Sequence, residues 1–257
     1  HQQREGRPQR SLANSGRRDT RLPRTALPLP SRKRRLNLPA QFFPNDLLWL
    51  TLVVFALLLA RAIFFAPWRT ILANEVRSNA LIGLSLGIFL FWQLNAGFRP
   101  GYNHHLLGAT LFVLLFGWQA AFTALSCIML ATWIRSGMPL LTLGLNGLLM
   151  IALPIYFSEM MLRFTRRHLP KNFFIFVLCN GFLCGGLAMI LVVAFACLLL
   201  AGIGPNTWVS VQHNYLIAAP IIIFAEAFTT GALITAFTVS KPEAVLNFDV
   251  DEYLTGK

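Results

Sequence analysis

The 257 residues carry 56% hydrophobic side chains and only 12% charged ones, about half the charged share of an average soluble domain. So little charge cannot cover a water-facing globule, which excludes an ordinary soluble enzyme. The apolar residues run in long blocks without strand-like alternation, which excludes an outer-membrane barrel and leaves an all-α polytopic membrane helix bundle.

The net charge of +12 has a local origin. Residues 1–40 hold eleven Lys and Arg against Glu5 and Asp19, a balance of +9, so +3 remains for everything that follows. This first segment is rich in Arg, Pro, Ser and Gln and has no apolar period, so a disordered basic tail is expected. One reading makes it an Arg-rich arm for RNA or lipid headgroups. The other makes residues 1–37 sequence upstream of a true start near Leu36 or Leu38, since no Met occurs before Met129. With the basic excess confined there, the body gives no reason to expect a nucleic-acid partner; the lipid bilayer is its expected surrounding. The chain then divides into the tail (1–40), a transmembrane domain (41–244) and a cytoplasmic C-terminal tail (245–257).

A span needs about 20 apolar residues. Leu47–Phe65 is the first candidate, with Arg61 near enough to one end to snorkel, and Ala80–Phe98 is the second. Pro100–Ile134 is a 35-residue run without a formal charge, about 50 Å as one helix. It is expected to break at Gly117-Trp118 into His105–Phe116 and Gln119–Ile134. Met138–Phe157 makes a fifth helix. The uncharged run Asn172–Ala225 must cross twice, with a break at Gly204-Pro205-Asn206, giving Phe173–Ile203 and Leu216–Val239. Seven crossings result. The cluster Arg163, Arg166, Arg167 and Lys171 sets the loop between helices five and six in the cytoplasm, which puts the N-terminus outside and the C-terminus inside.

Polar residues at membrane depth are costly, so they form the short list of functional candidates. The outer mouth of helix three reads Gly101-Tyr102-Asn103-His104-His105-Leu106-Leu107-Gly108. Neutral imidazoles there suit a borderline transition-metal ion, although both also suit an interfacial position facing headgroups. Asp46 and His213 fall on the same side of the membrane and complete a candidate set with Asn103, His104 and His105. Within the spans, Glu226 reads either as a proton or cation relay or as a hydrogen-bond anchor, and Asn146 and Asn180 read as amides tying helices together. Small residues recur four apart at Ala56 with Ala60, Gly83 with Gly87 and Gly181 with Gly185. No catalytic set, HExxH or Walker loop is present, so an enzyme is not indicated, and active transport would need ATP-hydrolysing partners.

The stretch His105-Leu-Leu-Gly108-Ala-Thr-Leu-Phe-Val-Leu-Leu-Phe-Gly117-Trp118, followed by Leu143-Gly-Leu-Asn146-Gly-Leu-Leu-Met150, resembles the CbiM/NikM family. These are the substrate-specific membrane subunits of cobalt and nickel energy-coupling factor (ECF) transporters, with an H-L-x-G opening, a leucine-rich helix ending in G-P-W, and an L-G-x-N-x-x-N-M segment. This chain lacks the Pro of the second motif and has Leu149 for the second Asn of the third. The resemblance covers about Leu47–Ala244. It implies uptake of a divalent transition metal such as cobalt or nickel, no permanently bound cofactor, and a bacterial inner membrane location. It also implies partnership with a membrane coupling subunit and two cytoplasmic ATPases, the coupling subunit meeting an A-x-x-x-A face of helix one that Ala56 and Ala60 fit. Of the metal ligands it implies, an amino-terminal Met-His pair and the His of H-L-x-G, only the last carries over, onto His105. The alternative is a membrane assembly or chaperone protein of the same fold that supports a metalloenzyme without transport.

Overall fold

The computed structural model describes residues 38, 43–93, 105–136, 139–203, 208–251 and 253. All belong to the body of the chain, Arg32–Lys257, as distinct from a short unit His1–Ser31. Every regular element among them is helical: α1 Asn45–Phe65, α2 Trp68–Leu72, α3 Glu75–Gln93, α4 Ala109–Phe116, α5 Trp118–Ser136, α6 Thr142–His168, α7 Phe173–Gly202, α8 Trp208–Asn214 and α9 Ala219–Ser240. Among the described residues four segments are long and apolar enough to cross a bilayer: α1, α6, α7, and Val211–Ser240, which includes α9. Large apolar side chains are turned outward along these helices, with Leu57 67%, Phe64 84%, Leu198 65% and Phe224 70% exposed. That arrangement suits lipid and would be unstable in water.

The bundle is built around α4. Its eight residues are all buried, and it touches α3, α5, α6, α7 and α9. At 1.5 Å per residue it is about 12 Å long, too short to cross a bilayer by itself. The uncharged run does break at Gly117, whose φ of +80° is the left-handed region open to glycine. The upstream limit differs from the sequence expectation: His105–Gly108 are irregular, not helical, for a reason given with the site below. Helix α3 begins five residues before the expected Ala80, because the Asn74 side chain accepts from the Arg77 N–H at 2.9 Å and so caps its first turn.

Helix α6 runs eleven residues past the expected Phe157. Its last part carries Glu159, Arg163, Arg166 and Arg167 on one side and buries Leu162 and Thr165 on the other, an amphipathic continuation that a span-length criterion does not see. It widens into π-helical turns over Leu148–Ala152, just before Pro154, whose ring cannot fit beneath a regular α-turn. The first turns of α7 are π-helical over Phe176–Leu183. The expected break at Gly204-Pro205-Asn206 lies outside the described residues.

Small residues set the helix contacts. A β-carbon on Gly144 would collide with the backbone of Leu52, so α6 and α1 cross backbone to backbone, and one on Gly181 would lie 2.6 Å from Ile234 of α9. Gly83 and Gly87 face no neighbour within 4 Å, and Ala56 and Ala60 are exposed on α1.

The chain after α9 does not hang free. The Leu246 N–H donates to the Leu115 carbonyl at 2.8 Å and the Asn247 N–H to the Leu114 carbonyl at 3.3 Å, the Asn247 side-chain amide donates to the Val113 carbonyl at 2.8 Å, and the Phe248 and Tyr253 rings pack tilted and edge-on against Phe176. The Leu115 carbonyl, an orphan at the end of α4, is thereby satisfied. Arg77 reaches the Glu243 carbonyl at 2.7 Å, fastening the start of α3 to the same segment.

Candidate metal-binding loop

Helix α4 opens on Gly108 at φ +67°, which has no side chain to cap the helix. The unsatisfied amides at such a start need an acceptor from elsewhere. Glu226, in the middle of α9 and 1% exposed, supplies it. One carboxyl oxygen accepts from the Leu107 N–H at 2.7 Å and the other from the Gly108 N–H at 2.8 Å. One residue earlier, the Leu106 carbonyl accepts from the Trp92 indole at 2.7 Å. The Trp92 ring then stands edge-on to the His105 imidazole, with centroids 4.7 Å apart. A side chain at Gly108 would be strained at its φ, and its β-carbon would lie 2.8 Å from the Ile88 side chain, which would have to shift. The His105-Leu-Leu-Gly108 segment is therefore held by α3 on one side and α9 on the other, at three successive backbone positions, and it presents a half-buried imidazole at its end. This is a preorganised nitrogen donor of the kind a borderline metal ion prefers.

A second tie brings the segment before α1 into the bundle. Leu38 is completely buried. The Asn146 side chain grips its backbone at both ends, donating to the Leu38 carbonyl at 2.9 Å and accepting from the Leu38 N–H at 3.0 Å. A further bond from the same amide to the Thr142 carbonyl at 2.9 Å fixes its orientation on α6. Asn180 has a different task. It accepts from the Thr165 hydroxyl at 2.8 Å and joins α7 to α6.

The remaining candidates are dispersed. Asp46 is exposed in the first turn of α1, where its charge suits the helix N-terminus, and His213 is exposed on α8. Asn103 and His104 lie outside the described residues. Among the described residues no three His, Cys, Asp or Glu side chains come together as a metal cage. Sequence reasoning missed Trp92 and Leu38. Nothing in an apolar run marks one tryptophan as a hydrogen-bond donor to a loop beyond its own helix, and a leucine gripped through its backbone carries no side-chain signal.

Fold and loop together define a polytopic α-helical membrane protein that carries a histidine-tipped loop fixed inside its bundle. The profile of cobalt uptake substrate-specific transmembrane regions (CbiM) matches residues 37–244, and the chain belongs to that family. Two solved structures share the fold. A truncated transition metal transporter is 17% identical at a TM-score of 0.60, covering 79% of this chain and 98% of that one. A transition metal transporter is 17% identical at a TM-score of 0.60, covering 79% and 93%. No curated protein matches the sequence significantly.

Proposed function

We propose that this chain is the substrate-binding membrane subunit of an ECF-type transporter that takes up a divalent transition metal such as cobalt or nickel, with a transport role and no catalytic one. The observation that carries the reading is the clamped His105–Gly108 loop within a chain of this family. The cation is the cargo. A neutral His105 imidazole offers it one nitrogen, and Asn103 and His104 are the nearest remaining donors in sequence.

The proposed topology has seven crossings, with the N-terminus outside and Arg163, Arg166, Arg167 and Lys171 in the cytoplasm of a bacterial cell. A membrane coupling subunit and two cytoplasmic ATPases supply the energy. Ala56 and Ala60, both exposed on α1, suit close approach of the coupling subunit's helix. Metal content of the purified chain after equilibration with cobalt or nickel tests the reading. Wild-type protein should retain about one ion per chain, and His105→Ala should retain none. Retention by His105→Ala equal to wild type refutes it.

A further inference from the structure

The far end of α1 holds a cavity that the metal site does not use. It measures about 280 Å³ and is lined by Arg61, Trp118, Tyr156, Glu159, Met160 and Arg163, from α1, α5 and α6. Two guanidinium groups face one carboxylate there, and that carboxylate is already taken, because Arg163 Nε donates to Glu159 at 2.8 Å across one helical turn. Arg61 lies over the Trp118 ring, 5.4 Å from its centroid, and has no carboxylate partner among the described residues. Trp118 packs in turn on Tyr156, with rings 5.6 Å apart. The Tyr156 hydroxyl is buried with no hydrogen-bond partner among the described residues. A cation and an O–H donor left without acceptors at one cavity call for an anion with oxygen atoms to spare, and a phosphate group fits both the chemistry and the space.

The rim of the cavity decides the source. Met160 of its lining is 59% exposed, and Leu57 and Phe64, about one helical turn to either side of Arg61 on α1, are 67% and 84% exposed, a surface that acyl chains cover and water does not. Trp and Tyr at a basic rim mark the headgroup level of a bilayer. We propose that this cavity binds the phosphate of an anionic phospholipid, with Arg61 as the ion-pairing group and Tyr156 as the hydroxyl donor. The leaflet is the cytoplasmic one under the orientation proposed above; the site itself does not depend on that orientation or on metal binding.

The test is native mass spectrometry of the full chain in mild detergent, after equilibration with equal amounts of phosphatidylglycerol and phosphatidylcholine of the same acyl chains. Wild type should retain phosphatidylglycerol about tenfold better, the scale of one partly desolvated charge-assisted contact. Arg61→Gln should remove most of that preference. Tyr156→Phe, which keeps the ring packing, should lower it about two- to fivefold. Arg167→Gln, an exposed basic residue outside the cavity, should leave it unchanged, and metal retention measured on the same samples should be wild-type throughout. Equal retention of the two lipids, or a preference untouched by both Arg61→Gln and Tyr156→Phe, overturns the proposal. Arg61-dependent binding of inorganic phosphate with no lipid preference assigns the cavity to free phosphate and overturns the lipid source. Weaker assembly with a coupling subunit in Arg61→Gln at unchanged lipid retention assigns the cavity to a protein partner and likewise overturns it.

Discussion

Glu226→Ala tests the clamp most directly. The substitution leaves the Leu107 and Gly108 amides without an acceptor at a site where Glu226 is 1% exposed. Each buried donor left unsatisfied costs about 1–3 kcal/mol. Interhelical hydrogen bonds in membrane bundles are worth about 0.6 kcal/mol on average, because the unfolded segments find other partners in the bilayer. Here both donors lie in the turn that leads into an eight-residue helix with no side-chain cap of its own, so the larger range applies and a loss of about 2–6 kcal/mol is expected. Glu226→Gln separates the contributions. Its oxygen still accepts one N–H while its amide faces the other, so about half the loss should remain. Unfolding in mixed micelles of increasing denaturing detergent, followed by tryptophan fluorescence, gives the stabilities. Metal titration of the still-folded Glu226→Gln protein should show weakened binding, because His105 stands at the end of the loosened loop. If Glu226→Ala unfolds within about 0.5 kcal/mol of wild type, the margin of an ordinary surface substitution, the two hydrogen bonds do not hold the loop and the reasoning fails.

Trp92→Phe removes only the indole donor to Leu106 and should weaken metal binding about fivefold, the worth of one hydrogen bond, with little loss of stability; calorimetric titration reads it, and unchanged affinity counts against the clamp. His104→Ala should reduce metal retention less than His105→Ala, measured by elemental analysis of matched preparations. Gly144→Val places a branched side chain against the Leu52 backbone and should destabilise the bundle by about 3 kcal/mol or more, seen as poor recovery of monodisperse protein. A reporter fused after Lys171 should face the cytoplasm and one near Asn206 the exterior; the same side for both would refute the proposed crossing of α7.

The membrane bundle was legible because hydropathy and charge are properties of whole segments, and among the described residues each apolar block from Leu47 onward is mainly helix. Limits within blocks were less legible. His105–Gly108 reads as the start of a helix by composition, yet it is irregular because Glu226, more than a hundred positions away, captures the Leu107 and Gly108 amides. The amphipathic end of α6 and its π-turns escape a criterion that looks for uniform apolar length. For the site, residue chemistry singled out His105, Glu226 and Asn146. It could not tell that one of them holds the loop of another, or that Asn146 serves a backbone and not a second helix, since such pairings exist only once the chain is folded.

Helix α4 shows how these long-range pairings act together. Alone, eight residues make a marginal helix, with orphan amides at one end and orphan carbonyls at the other. The Leu107 and Gly108 amides that lead into it are taken by Glu226 of α9, and the carbonyls of Leu114 and Leu115 by the backbone N–H groups of Asn247 and Leu246, seven and six residues beyond the end of the same α9. Both ends of α4 are thus fastened to one continuous stretch of chain, Ala219–Asn247, while its sides are buried by the other helices. Displacement of α9 along its axis must either carry α4 with it or break hydrogen bonds at both ends at once. The His105 loop lies at the first of these fastenings, so its position is coupled to α9 by covalent and hydrogen-bonded connections and does not rest on side-chain packing alone.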